Sequence, residues 1–430
     1  MRAAILAGGK GTRIGMLYPD LPKPMIPVAG KPLLQYQLEL LVKHGIVDIT
    51  LIAGHKADVI SSYFGDGHAL GAQIKYIIEE SPLGTGGALS MLPKANTLVL
   101  LGDVFLDVDL HRFIMFHQEH HAAVSIFAHP NTHPYDSDII SVSEDSDLVL
   151  KWHSKSVERT KDLRNLVNAG MYIFSRDALP KGGMIRCDLD KEIIMPMIPQ
   201  GIVYAYRSTE YIKDMGTPER LEAVSKDIAK GIPPICNLNR KQRAIFIDRD
   251  GTLNEEAGYI RSPEQLRLIL GAGEAIRQLN SSPFLAICIT NQPVIARGDV
   301  TPDGLDEIHA RLDVLLGQHG AYLDDLFYCP HHPDKGFAGE VPEYKIDCTC
   351  RKPKHGLLLE AAQRYNIDLH RSYMVGDRLA DIAAGNAAGC TTIGVLTGAA
   401  LSDGQIGVVP DAVCTNVLDA VNMIMAEDTE

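Results

Sequence analysis

The sequence lacks several features that mark common classes of protein. Of its 430 residues only one is tryptophan, and aromatic residues make up 6% of the chain. No apolar run approaches a membrane span, and the first apolar stretch is too short for a secretory signal. Basic residues form no long run, and the formal net charge is -13. We therefore expect neither a nucleic-acid partner nor a membrane partner.

Cysteine is also scarce, with eight residues in the chain. Cys329, Cys348 and Cys350 are close together, and the other five are spread through apolar or loop segments. This usage is typical of a metal site in a reducing compartment more than of a disulfide framework. We therefore expect a cytoplasmic protein that acts on small molecules. The sequence does not predict an oligomeric state.

The length of the chain favours two domains over a single hydrophobic core. Short apolar segments alternate with helical patterns in both halves, which predicts parallel sheets built from strand-helix-strand units. Residues 231–242 contain prolines, asparagines and charges without periodicity, which is typical of a linker. The predicted fold is α/β, with Rossmann-like three-layer domains at 1–230 and 243–430. The main predicted helices are Pro32–Lys43, Thr217–Lys230, Ala272–Asn280, Pro302–His319 and Leu379–Ala388.

A pair of acids marks the start of the back half, in the stretch IFIDRDGTLN, Ile245–Asn254. An apolar strand runs into Asp248 and Asp250, and ligands of open parallel sheets bind at the carboxyl ends of strands. One carboxylate of such a pair can attack phosphorus, while the other protonates the leaving oxygen and then activates water. For an isolated pair, a capping aspartate with a surface neighbour is the better explanation.

Three further segments favour the catalytic interpretation. ITNQ ends the next apolar strand with Thr290, CRKP contains Lys352, and MVGDRLAD places Asp377 at another strand end. This order resembles the haloacid-dehalogenase-like phosphatases, which implies a Rossmann-like fold, an aspartyl-phosphate intermediate and Mg²⁺. The implied Mg²⁺ ligands are Asp248, the backbone carbonyl of Asp250, and Asp377. Asp381, one helical turn later, is either a supporting acid or an exposed helix residue.

A metal-ligand pattern lies in the same half. CPHHP and CTCRKP together read Cys-x-His, sixteen residues, then Cys-x-Cys. Three thiolates and one imidazole suit tetrahedral Zn²⁺. The four expected ligands are Cys329, His331, Cys348 and Cys350. Because they fill every position, the zinc should be structural and should hold the loop that carries Arg351 and Lys352. The alternatives are buried cysteines beside a surface histidine, and His332 as a ligand.

The zinc loop, together with GYIRSPEQLRLILGA and NQPVIARG, resembles the heptose bisphosphate phosphatases. The resemblance covers nearly all of residues 243–425. It implies removal of the 7-phosphate of D-glycero-D-manno-heptose 1,7-bisphosphate, with Asn291, Arg297 and Arg351 in contact with the substrate. The pair Pro293–Val294 stands where Ser-Gly is usual. Histidinol-phosphate phosphatases share the zinc loop and remain the competing interpretation.

The front half begins with a glycine-rich loop, LAGGKGTR, after its first strand. Glycines let backbone N–H groups approach a triphosphate, and Lys10 or Arg13 can offset its charge. The loop is not of the Walker type, because no Gly-Lys-Ser/Thr ends it. By itself, a tight strand-helix turn without a ligand explains it equally well.

Four more segments carry a second resemblance. They are LPKPMIPVAGKPLL with Lys23, PLGTGGAL, LLGDVF with Asp103, and YIKDMGTPERL with Asp214. Across most of residues 1–228 this series resembles the sugar-1-phosphate nucleotidyltransferases. The resemblance implies Mg²⁺ on Asp103 and Asp214, and a transition state stabilised by Arg13 and Lys23. The implied substrate contacts are Gly8, Gly9, Gly11, Thr12, Gly84, Thr85, Gly86, Asn168 and Gly170.

Two departures from this family are visible. Leu101 stands where Asn is usual before Gly-Asp, and the Glu-Lys-Pro element is replaced near WHSKS, where Lys155 is the candidate substitute. HPYDSDII resembles the heptose-phosphate guanylyltransferase subgroup, which favours GTP. The two halves together predict a bifunctional enzyme that makes GDP-D-glycero-D-manno-heptose for lipopolysaccharide or capsule. The alternatives are a hexose-1-phosphate nucleotidyltransferase fused to a promiscuous or histidinol-phosphate-like phosphatase, and a front half that binds sugar nucleotide without catalysis.

Overall fold

The chain forms two compact units. The computed structural model describes residues 1–9, 17–143, 146–180, 182–183, 185–336, 338–404 and 407–428. Unit 1 comprises Met1–His129, Ile140–Ser154 and Val167–Asn237, and unit 2 comprises Pro130–Ile139, Lys155–Leu166 and Leu238–Glu430. Two segments from the front half of the sequence therefore pack with the back half. The stretch interpreted as a linker contains a short helix, Ile232–Ile235.

A nine-stranded sheet forms the core of unit 1. The strands of the front half are β1 (Arg2–Leu6), β2 (Pro27–Val28), β3 (Lys31–Pro32), β4 (Asp48–Ala53), β5 (Gln73–Ile78), β6 (Thr97–Leu101), β7 (Val104–Asp107), β8 (Val124–His129), β9 (Ile139–Val142), β10 (Val149–His153), β11 (Val167–Phe174), β12 (Val203–Arg207) and β13 (Tyr211–Asp214). The helices are α1 (Leu33–Lys43), α2 (Ala57–Phe64), α3 (Leu110–Glu119), α4 (Pro218–Ala229) and α5 (Ile232–Ile235).

The direction of the strands differs between the two sides of this sheet. Strands β6, β1, β4 and β5 are adjacent in that order and run parallel, so their carboxyl ends meet at one edge. Strand β11 runs antiparallel to β6 and β8, so the prediction of a parallel sheet is wrong for this side. Nearly every residue of β11 is buried, and a continuous apolar strand has the same sequence pattern in either direction.

Unit 2 contains a six-stranded sheet of order β16-β15-β14-β17-β18-β19, in which neighbouring strands are parallel. Its strands are β14 (Arg243–Ile247), β15 (Phe284–Asn291), β16 (Asp325–Cys329), β17 (Tyr373–Gly376), β18 (Thr391–Val395) and β19 (Ala412–Cys414). Its helices are α6 (Ala272–Leu279), α7 (Pro302–Gln318), α8 (Gly356–Arg364), α9 (Leu379–Ala388) and α10 (Val417–Glu427).

The central strand β14 shows why this sheet is covered on both faces. Ile245 and Ile247 enter one apolar core, whereas Ala244 and Phe246 enter another, because successive side chains of a strand point to opposite faces. Helices α6, α7 and α10 pack in the first core, and α8 and α9 in the second. Both faces are thus covered by helices, which confirms the predicted three-layer arrangement for this unit.

The five main helices predicted from the sequence are confirmed to within two residues at each end, as α1, α4, α6, α7 and α9. In the described part of the chain, no helix combines the length and apolar character needed to cross a membrane.

Candidate active sites

Strand ends in unit 2 bring three aspartates together. Asp248 follows β14, Asp377 follows β17, and Asp381 lies in the first turn of α9. One carboxylate oxygen from each lies within 4.8 Å of the other two. All three residues are buried, with 6%, 0% and 1% of their surface exposed. Asp381, which the sequence left between two interpretations, is therefore a buried member of this cluster and not an exposed helix acid.

One buried cation faces these carboxylates. Lys352 Nζ lies 2.7 Å from Asp248 and 2.6 Å from Asp381, and it donates a hydrogen bond of 2.7 Å to the carbonyl of Ile289. Burial alone would lower the pKa of Lys352, but the two aspartates outweigh it and raise that pKa. Burial, with Asp381 adding to it, raises the pKa of Asp248 well above its usual value and that of Asp377 to about 6.

The three carboxylates have the chemistry of a magnesium site. One ammonium group cannot balance three ionised carboxylates, so burial favours their protonation unless a divalent cation offsets the negative charge. Carboxylate oxygens are also the ligands that Mg²⁺ prefers. The backbone closes tightly around Asp377, since a Cβ on Gly251 or Gly398 would lie 2.3 Å from its carboxylate. The residues present therefore fit the predicted ion.

A separate set of donors surrounds Asp250. Arg249 donates to it through Nε at 3.1 Å and Nη2 at 2.8 Å. Asn254 donates at 3.0 Å and Gln292 at 2.8 Å. Burial would raise the pKa of Asp250, but the Arg249 guanidinium and these hydrogen bonds prevail and lower it. Gln292 also donates to the hydroxyl of buried Thr290 at 2.9 Å, which connects the acid to the end of β15.

The predicted substrate contacts of unit 2 lie at the end of β15 and in loops. Asn291 makes two hydrogen bonds of 3.0 Å with the backbone of Lys352, so its side chain holds the loop that carries the lysine. Arg351 donates to the carbonyl of His331 at 3.2 Å. Arg297 lies over the ring of Tyr259, 4.6 Å from its centroid. Asn291 thus positions the lysine loop, whereas the two arginines are bonded to neighbouring loops.

The expected zinc ligands form one compact group. Their ligand atoms all lie within 4.8 Å of one another. The sulfur of Cys350 is 3.1 Å from those of Cys329 and Cys348, and 3.3 Å from Nδ1 of His331. Tetrahedral zinc with bonds of about 2.3 Å would separate two sulfur ligands by about 3.8 Å, so a small outward shift accommodates the ion. His332 is not part of the four-residue group.

The predicted acids of unit 1 lie at the paired strands β7 and β13, because Asp103 directly precedes β7. Asp103 follows β6 and Asp214 ends β13, and the N–H of Met215 donates to the carbonyl of Asp103 at 2.8 Å. The carboxylate of Asp103 is paired with Lys23, and that of Asp214 with Arg220 at 2.6 Å. Each predicted magnesium ligand therefore has a cationic partner of its own.

The second glycine turn of unit 1 is packed closely on a neighbouring segment. A Cβ on Gly84, whose φ is +75°, would lie 2.4 Å from the carbonyl of Cys187. Gly86 N–H donates to that carbonyl at 2.9 Å, and the hydroxyl of Thr85 accepts from Leu189 N–H at 2.9 Å. The close packing explains why glycine is needed here, independently of any base contact.

Strand β11, which contains the predicted sugar contacts, has hydrogen bonds between its own residues. Asn168 donates to the hydroxyl of Tyr172 at 2.7 Å and accepts from Gly170 N–H at 3.1 Å. Gly170 has a φ of +77°, and a Cβ there would meet Leu101 at 2.7 Å. The unusual Leu101 therefore lies directly against the glycine that is expected to meet the sugar.

The first glycine-rich loop is described only in part. Gly8 and Gly9 follow β1, and a Cβ on Gly9 would have no neighbour within 4 Å among the described residues. The predicted residues Gly11, Thr12 and Arg13 lie outside the described residues, as does Lys10.

In the comparison with known proteins, the two halves of the chain match different families. Residues 2–231 match the nucleotidyl transferase family, and residues 349–420 match the HAD-hydrolase-like family. The chain is 35% identical over 259 residues to a mannose-1-phosphate guanylyltransferase of Mycobacterium tuberculosis, which covers 58% of this chain and 70% of the relative. The chain belongs to the nucleotidyl transferase family.

Several further relatives are phosphatases. The chain is 44% identical over 148 residues to the D-glycero-beta-D-manno-heptose-1,7-bisphosphate 7-phosphatase of Pasteurella multocida, which covers 34% of this chain and 77% of the relative. The phosphatase of the same name from Escherichia coli K12 is 41% identical over 149 residues, covering 35% and 76%. The chain thus combines a nucleotidyl transferase domain with a phosphatase domain.

The sequence analysis missed three residues of this candidate site. Arg249, Asn254 and Gln292 hydrogen-bond to Asp250, and none of them was predicted to have a role, although they lie within the motifs IFIDRDGTLN and ITNQ. A signal was available for Arg249. An arginine between two acids at the end of a buried strand needs an anionic partner once it is buried, and Asp248 and Asp250 are equally near along the chain.

Proposed function

We propose that the phosphatase domain removes the 7-phosphate of D-glycero-D-manno-heptose 1,7-bisphosphate and that the nucleotidyl transferase domain then transfers GMP from GTP to the heptose 1-phosphate. Pyrophosphate is the second product of the transfer. The observation that carries the proposal is the buried cluster of Asp248, Asp377 and Asp381 around Lys352, in a chain whose relatives include phosphatases named for that bisphosphate. The product of the first reaction is a sugar 1-phosphate, which is the acceptor that the second requires.

In the phosphatase reaction, an oxygen of Asp248 attacks phosphorus and forms an acyl phosphate while the sugar oxygen leaves. Lys352, already oriented by its neighbours, offsets the charge that gathers on the phosphoryl oxygens. Asp250 gives a proton to the leaving oxygen, then accepts one from the water that hydrolyses the acyl phosphate. Mg²⁺ held by Asp248, Asp377 and the carbonyl of Asp250, with Asp381 beside them, supplies further charge neutralisation when bound.

In the transfer reaction, a phosphate oxygen of the sugar 1-phosphate attacks the α-phosphorus of GTP, and the bond to pyrophosphate breaks. Lys23 and Arg13 stabilise the negative charge that develops in this step. Asp103 and Asp214 are the proposed ligands of Mg²⁺, which supplies electrostatic stabilisation of the triphosphate when bound. Gly84, Thr85, Gly86, Asn168 and Gly170 line the proposed approach of the base and the sugar.

Zn²⁺ is the proposed structural ion of the phosphatase domain. Three thiol groups and one imidazole converge within 4.8 Å, which is the donor set that tetrahedral zinc prefers. The ion would link the end of β16 to the segment before Arg351 and Lys352, and so would fix the loop from which the lysine enters the site.

The test uses the intact protein with the bisphosphate, GTP and Mg²⁺. We expect release of both phosphate and pyrophosphate, with pyrophosphate appearing only after phosphate, and phosphate alone when GTP is omitted. Faster hydrolysis of histidinol phosphate than of the bisphosphate would contradict the phosphatase assignment. GTP binding without pyrophosphate release from any sugar 1-phosphate would instead indicate a front half that binds without catalysis.

Mannose 1-phosphate is a second candidate for the acceptor, because one relative is a mannose-1-phosphate guanylyltransferase at 35% identity. Competition between mannose 1-phosphate and heptose 1-phosphate, each at limiting concentration, decides between them. We expect the heptose to have the higher kcat/KM, since only that acceptor is a product of the phosphatase domain.

A further inference from the structure

A buried glutamine connects the carboxyl ends of β14 and β15. Gln292 directly follows β15, has 2% of its surface exposed, and donates its backbone N–H to the carbonyl of Cys329 at 2.8 Å. Its side-chain Oε1 accepts from Arg249 Nη2 at 3.0 Å. Its Nε2 donates to Asp250 at 2.8 Å and to Thr290 Oγ1 at 2.9 Å. Both polar atoms of the side chain are therefore hydrogen-bonded within the site.

The partners of this amide determine its orientation. A guanidinium group can only donate hydrogen bonds, so the atom of Gln292 that faces Arg249 has to be the oxygen. The nitrogen then faces Asp250 and Thr290, and each of these residues has an oxygen that can accept one of its two hydrogens. The guanidinium sets this orientation in either protonation state of Asp250, because it never accepts. The amide thus has a single orientation in which all of its partners are satisfied.

This orientation also directs the hydroxyl of Thr290. One hydrogen of Gln292 Nε2 occupies an acceptor site on Thr290 Oγ1, and a hydroxyl has one hydrogen of its own, so the O–H bond points away from Gln292. The carbonyl of Ile289, directly before Thr290, accepts from Lys352 Nζ, which also lies 2.7 Å from Asp248. The hydroxyl is therefore at the edge of the sheet where Asp248 would meet a phosphoryl group.

We propose that Gln292 is a positioning residue, which holds the hydroxyl of Thr290 as a hydrogen-bond donor to the phosphoryl group of the substrate. The inference rests on the proposed phosphatase reaction and adds a residue on which that reaction depends. A donor that is already oriented requires no reorganisation when charge develops on the phosphoryl oxygens. Without Nε2 the hydroxyl can rotate, and an acceptor in its place would turn the hydrogen away from the substrate.

The test is a double-mutant cycle in the intact protein. Thr290→Val removes the hydroxyl, and its effect on kcat for phosphate release from the bisphosphate is measured with and without a second substitution. We expect a loss of about 100-fold in the otherwise unaltered protein. In Gln292→Met, which lets the hydroxyl rotate, the loss should be about 10-fold. In Gln292→Glu, whose carboxylate accepts from the hydroxyl, Thr290→Val should change kcat by less than about 2-fold.

Gln242→Met is the matched control. Gln242 is 3% exposed and lies directly before β14, at the opposite end of the strand from Asp248. Its Nε2 donates to the carbonyl of Arg240 at 3.1 Å, so the substitution also removes a side-chain hydrogen bond from a buried glutamine. Thr290→Val should still lower kcat by about 100-fold in this background, because the hydroxyl keeps its orientation.

An equal effect of Thr290→Val in every background would overturn the inference, since the hydroxyl would then act independently of Gln292. If the unaltered protein releases no phosphate from the bisphosphate, the proposed phosphatase reaction fails, and calorimetric binding of inorganic phosphate with Mg²⁺ judges the inference separately. Thr290→Val should then weaken phosphate binding in the unaltered protein but not in Gln292→Glu, and equal weakening in both would contradict the inference. An unchanged melting temperature shows that each variant is folded.

Discussion

The two candidate active sites differ in how their acids are paired with cations. In the phosphatase domain, Asp248, Asp377 and Asp381 are buried around a single ammonium group. In the nucleotidyl transferase domain, Asp103 and Asp214 each have a separate cationic partner. When its three carboxylates are ionised, the first site has more buried negative charge than this ammonium group offsets, whereas each of the two described carboxylates of the second has one cation beside it.

The difference leads to different expectations for when the proposed Mg²⁺ would bind at each site. Excess buried charge favours binding of a divalent cation before the substrate arrives. At a balanced site with one or two carboxylates, Mg²⁺ typically binds together with substrate phosphates. We therefore expect the phosphatase domain to bind Mg²⁺ in the absence of substrate, and the nucleotidyl transferase domain to bind it with GTP.

The largest expected effect comes from removing one acid of each site. Asp248→Asn removes the proposed nucleophile, so phosphate release should fall at least about 10³-fold. Asp103→Asn removes a proposed metal ligand, so pyrophosphate release should fall by about 10²-fold or more. Each variant should retain the other activity, measured in the same preparation with heptose 1-phosphate supplied for the transfer. Loss of both activities in either variant would contradict two separate sites.

Those features of the two sites that depend on a few neighbouring residues were predictable from the sequence. An acid directly after an apolar strand is a short-range pattern, and the sheet then brings Asp248 and Asp377 together because β14 and β17 are neighbours. The helix bounds were predictable for the same reason, since each depends on a few residues of periodic sequence. The four proposed zinc ligands also form two short motifs that the fold joins.

Long-range pairings were not predictable from one sequence. The burial of Asp381 depends on Lys352, which arrives from a distant loop, so an acid in the first turn of a helix could equally have been exposed. The antiparallel direction of β11 could not be predicted, because a strand that is nearly all buried has the same apolar sequence pattern in either direction. Membership of Lys155–Leu166 in unit 2 likewise depends on contacts that sequence order hides.

The next largest effect concerns the contribution of the segment Lys155–Leu166 to the stability of unit 2. Arg164 Nε donates to buried Asp313 of α7 at 2.8 Å, and the N–H of Asn165 donates to the same oxygen at 3.0 Å. Arg164→Met should destabilise unit 2 by about 3 kcal/mol, because it leaves a buried carboxylate without its charged partner. Denaturant unfolding followed by loss of phosphatase activity measures the change.

Lys161→Met is the matched control for that substitution. Lys161 pairs with Glu307 of α7 at 3.3 Å, but both side chains are more than half exposed. Its removal should cost no more than about 1 kcal/mol. Equal effects of the two substitutions would show that burial of Asp313 is not what makes the Arg164 pair important.

A smaller effect concerns the metal that we propose for the zinc loop. Cys348→Ser should remove one Zn²⁺ per chain, measured by atomic emission, and should lower phosphate release by about 10- to 100-fold through misplacement of Lys352. Cys414→Ser, in the same unit but outside the cluster, should retain both metal and activity. Pyrophosphate release should be unchanged in both variants. Full phosphatase activity in zinc-free Cys348→Ser would show that the loop is correctly placed without the ion.

The smallest expected effect lies in the pH dependence of the phosphatase domain. Arg249 lowers the pKa of Asp250, so the ionised form that accepts a proton from water persists to acidic pH. Hydrolysis of the acyl phosphate, the step that needs the ionised form, should slow as pH falls through that pKa. Arg249→Lys retains the charge but removes the paired donors, so the pKa of Asp250 should rise. The acid limb of kcat for phosphate release should then move to higher pH, with a loss of activity of about 10-fold at acidic pH.

Pyrophosphate release, which does not involve Asp250, should keep its pH profile and serves as the internal control. An acid limb that does not move would assign it to another group, with Asp377 the first alternative because its pKa is raised to about 6.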